Sequence, residues 1–188
     1  MVFAADPAAI FDRMKLLCLA FGVTGVAPLD NQIGLEGIPP GKALLERIVR
    51  ADIALMDSLD AAVFCLDGFR RGVEMDAGTA FEVGYMTARG KPIAGWTQDP
   101  RLYPRRVADF FQVHYGENLT ETPPGPAGGT SGLLRDPDGI LVHSEGCVQN
   151  AMVHVGIELA GGIVAADTNW ETAFSAAIAS VAKRIGDA

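Results

Sequence analysis

The chain has 188 residues, 49% hydrophobic and 20% charged, the balance of a single globular domain spanning 1–188 rather than a disordered polymer. A formal charge of -8 and a pI near 4.8 exclude the clustered basic surface that a nucleic-acid polymer requires, while leaving a small neutral nucleoside compatible. No run approaches the ~20 apolar residues of a membrane span, the N-terminus has no signal-peptide pattern, and three dispersed cysteines (Cys18, Cys65, Cys147) read as reduced thiols of a cytoplasmic protein.

Apolar residues at Ile10, Phe11, Met14, Leu17 and Cys18 predict a helix over 8–20. Gly22 breaks it, and residues 23–27 are expected to form a short strand ending at Pro28. Pro39-Pro40-Gly41 opens a second helix that runs through Leu44, Leu45, Ile48, Ile53 and Met56. The near-continuous apolar run Ala61 to Leu66 has the length of a buried parallel strand, stopped by Asp67-Gly68. A helix is predicted from about Asp76 to Gly90, and another buried strand from Lys91 to Trp96. This alternation implies an α/β fold, doubly wound in the flavodoxin or Rossmann manner, with a mostly parallel sheet and helices on both faces. Such sheets bind ligands beyond the carboxyl ends of their strands, here the loops after Ala27, Leu66 and Trp96.

Residues 116–139, with the Pro/Gly-rich run 123–132, are expected to be a long loop that buries little. From Asn150 the pattern is helical again, is interrupted by Gly161-Gly162, and ends in a helix over 170–185. Gly22, Gly25 and Gly34 do not make a dinucleotide-binding turn, and no phosphate-binding P-loop is present. His114, His143 and His154 lack metal-site spacing. No cofactor and no metal are expected.

Four acidic residues fall at expected strand ends or helix starts: Asp30, Asp52, Asp76 and Glu82. Asp76 suits a helix N-cap, with Thr79 three residues on. Glu82 stands in an otherwise apolar or small segment, and is either on the solvent face or a desolvated functional carboxylate. Gly78 and Gly84, each costing about 1 kcal/mol in a helix interior, leave room there for close packing or a ligand.

The blocks Asp60 to Asp67, Met75-Asp76-Ala77-Gly78-Thr79-Ala80-Phe81-Glu82-Val83-Gly84-Tyr85 and Gly90-Lys91-Pro92 together resemble the nucleoside 2-deoxyribosyltransferases. Pro28-Leu29-Asp30-Asn31-Gln32 upstream is similar to that family's base-side loop, and Asn150-Ala151-Met152 to its Asn-Leu-Met segment. The resemblance covers roughly 1–160 with its blocks in order. It implies that Glu82 is the nucleophile toward the anomeric carbon of deoxyribose, that Asp76 holds the 5′-hydroxyl, and that Asp52 manages the proton of the departing base. It further implies that Gln32, in the loop containing Asp30, faces the base. Asn150 and Met152 would reach a neighbouring subunit's site, making a homo-oligomer with shared active sites. The ligands are then a deoxynucleoside and a free nucleobase, with no membrane or nucleic-acid partner. One carboxylate for the covalent sugar intermediate and a second group for the base's proton are what a retaining transfer needs.

Family members usually begin with a tyrosine-bearing strand ending in Leu-Ala-Gly-Pro, whereas this chain starts at Met1-Val2-Phe3, where that strand should have finished. The first strand is therefore expected to be missing, through a start placed too far downstream or through divergence with altered activity. Two other functions stay open: a hydrolase of deoxynucleoside 5′-monophosphates, disfavoured because Asp76 would repel a phosphate, and a non-catalytic nucleoside-binding module.

Overall fold

Local chemistry explains where the elements start. Asp6 accepts the Ala9 amide at 3.1 Å and Pro7 presets the first turn, giving helix α1, Pro7–Ala20. A short 3₁₀ turn, Pro28–Asn31, precedes α2, Lys42–Ser58, and strand β1, Ala62–Cys65. Asp76 caps α3, Ala77–Ala88, and Gly90 at φ 68 turns the chain toward β2, Ile93–Thr97. Then come α4, Tyr103–Tyr115, and three two-residue strands, β3 (Thr120–Glu121), β4 (Leu134–Arg135) and β5 (Leu141–Val142). Asn150 caps α5, Ala151–Leu159, before β6, Val164–Ala166, and Asn169 caps α6, Trp170–Gly186. The computed structural model describes residues 6–31, 37–122 and 133–187, so Gln32, Gly34 and the run 123–132 lie outside the described residues.

β1, β2 and β6 form a parallel sheet in the order β1-β2-β6, with Val63 opposite Ala94 and Trp96 opposite Ala165. All five β2 residues are buried, as a strand covered on both faces must be. Their alternation sorts the helices into two layers. Ala94 and Trp96 pack with Met14 and Cys18 of α1 and Phe174 and Ile178 of α6. Ile93 meets Met56, Val83, Met86 and Ile157 from α2, α3 and α5. A side chain buried as fully as Ile93 contributes about 1.5–3 kcal/mol. Gly95 lets Leu66 pack closely on the second face, since a Cβ there would stand 2.6 Å from Leu66 Cδ1. Helices on both faces of a parallel sheet are the doubly wound architecture expected.

Several expectations change. Residues 23–27 make no strand pairing among the described residues. They lie instead against α1, with Val23 N–H on the Cys18 carbonyl at 3.2 Å and Gly25 so close that a Cβ would reach 2.9 Å from Cys18 Sγ. The stretch 116–139 is not wholly loop, because β3, β4 and β5 build a small antiparallel sheet within and just beyond it. Helix α4 and strand β6 were not anticipated.

Candidate active site

The site is organised by α3. Asp76 Oδ2 accepts the Thr79 amide at 3.1 Å, which fixes its carboxyl over the first turn, while Oδ1 has no partner among the described residues. Gly78 makes this possible, since a Cβ there would stand 2.8 Å from the same Oδ2. Gly78 thus makes room for Asp76 itself, rather than only for a ligand. Gly84 has open space where a Cβ would be.

Glu82 lies half-buried in the middle of α3. Burial first, then the charges of Asp52 and Asp76, push its carboxyl up to about 7. Asp52, half-buried on α2, is raised above the usual aspartate range by burial alone. The structure therefore brings these three sequence-picked carboxylates into one electrostatic cluster between α2 and α3. Asp57 of α2 secures that side of α3, accepting Tyr85 Oη at 2.9 Å and pairing with Arg89 at 3.1 Å. A carboxyl that loses its proton near neutrality, beside another with a raised affinity for one, has the chemistry for nucleophilic and proton-transfer work.

The other picked residues lie elsewhere. Both Asp30 oxygens are taken, one by Lys15 Nζ at 2.6 Å and the other by the Ala27 amide at 2.8 Å, and the Lys15 hydrogen bond holds its carboxyl below the usual range. Its neighbour Asn31 donates to the Ala51 carbonyl at 2.7 Å, tying this turn to α2 one residue before Asp52. Gln32 is outside the described residues. Asn150 Oδ1 caps α5 on the Met152 amide at 3.0 Å, and Met152 is 85% exposed. Both line a groove of about 650 Å³ with Ala80, Val83 and Gly84, on the α5 side of α3, whereas Glu82 and Asp52 do not. The two groups of residues thus occupy different flanks of one helix.

The crevice at the carboxyl ends of β1, β2 and β6, about 500 Å³, is lined by Asp67, Gln98, Asp99, Arg101 and Thr168. Its charges are satisfied internally: Asp67 accepts from Thr97 Oγ1 at 2.7 Å and from Gln98, and Arg101 pairs with Asp99 and Asp109. The loops after Leu66 and Trp96 meet there, but Asp52, Asp76 and Glu82, the carboxylates singled out in the sequence, do not line this crevice. Among the described residues no cluster could hold a metal ion, and no helix is long and apolar enough to cross a membrane.

Sequence reasoning missed two buried polar residues, Arg106 and Gln149, which are 5% and 0% exposed. Both donate to backbone carbonyls far away in sequence, which no spacing rule reveals. The sole hint was an arginine on the apolar stripe of Tyr103, Val107, Phe110 and His114.

Comparison with known proteins agrees with this fold. The family model described as Nucleoside 2-deoxyribosyltransferase matches residues 1–152. The uncharacterized protein C191.05c of Schizosaccharomyces pombe is 44% identical over 185 residues, 98% of this chain and 86% of that protein. Among solved structures, a 2-desoxiribosyltransferase from Leishmania mexicana is similar with TM-score 0.58 and 25% identity, covering 94% of this chain and 91% of that one.

Proposed function

We propose that this chain, which belongs to the nucleoside 2-deoxyribosyltransferase family, moves 2-deoxyribose between nucleobases through a covalent intermediate on Glu82. The observation that carries the proposal is the half-buried Glu82 carboxyl, held near 7 by burial and by Asp52 and Asp76. A carboxylate is a sufficient nucleophile at an anomeric carbon whose transition state is cation-like. In the first step a Glu82 oxygen bonds to C1′ as the C1′–N bond breaks, and Asp52 delivers its proton to the departing base. In the second step the incoming base attacks C1′, the ester to Glu82 breaks, and Asp52 takes the proton the new base releases. Two inversions give net retention. Asp76 Oδ1, without a partner among the described residues, suits the 5′-hydroxyl, which orients a sugar lacking a 2′-hydroxyl.

The separation of Asn150 and Met152 from Glu82 by the width of α3 supports a site completed by a neighbouring subunit. Base contact falls to Gln32, and closure of the site against water favours transfer over hydrolysis. No cofactor takes part in this scheme.

The test supplies a deoxynucleoside, then its 5′-monophosphate, each with and without a different free base, and separates the products. Exchange that requires the free base and prefers the 5′-hydroxyl is expected, together with a deoxyribosyl adduct on the Glu82 peptide. Faster cleavage of the monophosphate would replace this function with a nucleotide hydrolase. Binding without turnover would leave a nucleoside-binding module.

A further inference from the structure

Among the described residues buried polar side chains are few, and they gather around one seam. Of Thr97, Arg106, Ser144, Gln149 and His154, only Thr97 lies outside the packing of α4 against the loop that leads into α5. Arg106 donates from Nη1 to the Val148 carbonyl at 2.6 Å and from Nη2 to the Val73 carbonyl at 2.7 Å, while its Nε faces Asp99 at 3.4 Å. Gln149 Nε2 reaches the Leu66 carbonyl at 3.1 Å and the same Val73 carbonyl at 3.4 Å, and its Oε1 accepts the Asn150 amide at 2.9 Å. One turn before Arg106, Tyr103 repeats the bridge. Its hydroxyl bonds to Glu74 and its amide to the Cys147 carbonyl at 2.7 Å.

These bonds join two loops that have no sequence relation, one ending at Asp76 and α3, the other at Asn150 and α5. The second loop is held from within as well. Ser144, at φ 83, is a non-glycine residue in the left-handed region, and its Oγ accepts the Ala151 amide at 2.9 Å. His154 Nδ1 accepts the Val148 amide at 3.3 Å. A strained residue persists only where its surroundings over-determine it, and such places are commonly functional. A planar guanidinium with donors fixed in a fork suits bridging two carbonyls, which a lysine ammonium on a flexible stem does poorly.

We propose that Arg106 and Gln149 are positioning residues that lock the Asp76 loop to the Asn150 loop, so that the two flanks of α3 keep one spacing. The inference rests on the roles proposed above for Asp76 and Asn150. Its consequence is that a movement of either loop is passed to the other through the shared Val73 carbonyl. If sites are shared between subunits, this seam also sets the distance between a subunit's own sugar-binding loop and the residues it lends to its neighbour. Displacement on the scale of 1 Å costs on the order of 10²-fold in rate.

The test uses Arg106→Lys, which keeps the charge, and Gln149→Met, which keeps the length, alone and combined, beside the wild-type protein. The Glu82 titration is followed by carboxyl carbon NMR without substrate, and transfer is followed in parallel. Release of Asp76 from its place should lower the Glu82 midpoint by about half a pH unit or more in each single variant. The double variant should show no further drop, because both residues hold one carbonyl. The kcat for transfer should fall by roughly 10- to 100-fold in the folded variants. A residue needed only for folding would lower the melting temperature and leave both the midpoint and kcat of the folded protein unchanged, and that result overturns the proposal. If the wild-type chain transfers nothing, the proposed function fails while the NMR midpoint still decides the clamp. Should a variant not fold, native-state hydrogen exchange on the wild-type chain replaces it. The amides of Phe69 in the Asp76 loop and Thr79 in the α3 turn that Asp76 caps, and those of Val148 and Asn150 in the other loop, are expected to open together with a single free energy, and two separate openings refute the clamp.

Discussion

Neutralising Glu82 acts on stability and on turnover in opposite senses. Its carboxyl rises from 4.5 in the unfolded chain to about 7 in the folded one, so between those values the folded state binds the proton more tightly. Stability therefore falls as pH rises through this window, and the full cost is present above it. Glu82→Gln should accordingly be more stable than wild type at pH 8 by on the order of 1 kcal/mol, since the half-buried site is partly screened by solvent. The difference should vanish below pH 4.5, where both states hold the proton. Urea unfolding at the two pH values measures it. The same variant should lose transfer by roughly 10³-fold or more, having no oxygen able to form the ester. In the wild type, kcat/KM should rise with pH through a limb near 7, as the nucleophile loses its proton. Asp76→Ser keeps an N-cap oxygen but removes one of the two charges that raise Glu82, so its limb should move to lower pH.

At the scale of the element, Gly78→Ala separates helix formation from site geometry. Alanine gains about 1 kcal/mol of helix propensity over glycine. Its Cβ, however, would stand 2.8 Å from the carboxylate that caps α3, and displacing that cap costs about 1 kcal/mol. Thermal unfolding should change by only a few degrees, while KM for the deoxynucleoside rises because Asp76 is pushed aside; circular dichroism melts and steady-state kinetics check the two halves. The sequence made α3 legible because its cap, its glycine and its buried residues all sit in one contiguous block. The same holds for β1 and β2, whose apolar runs reveal burial on both faces. Residues 23–27 have the composition of a strand, but pairing depends on a neighbour, and here the segment packs on α1 instead. Helix α4 carried its own signals, Pro104 in the first turn and Gly116 at φ 71 after the last. β3, β4 and β5 are two residues each, too short for any periodicity to announce. Within the site, the carboxylates were readable as residue types at helix positions. The clamp was not, because hydrogen bonds to carbonyls leave no trace in side-chain spacing.

For the whole molecule, the apolar surface that α3 and α5 leave uncovered bears on assembly. Met152, 85% exposed, lines the groove together with the small residues Ala80, Gly84, Ala88 and Gly156, and Leu159, 83% exposed, follows two turns further along α5. Exposed apolar residues grouped beside a groove of small ones suit a second copy packing closely, which is also where a lent Asn150 would originate. If the site of one subunit needs Asn150 of another, neither Glu82→Gln nor Asn150→Ala should transfer efficiently alone, yet the two should complement. In a two-fold dimer formed by random exchange, half the molecules pair one of each, and each such pair holds one intact site, so activity should recover to roughly a quarter of wild type. Leu159→Glu placed in both chains should prevent recovery and shift the species seen by analytical ultracentrifugation toward the monomer. No recovery from mixtures that demonstrably exchange subunits would mean that each chain completes its own site, with Asn150 acting only as the cap of α5.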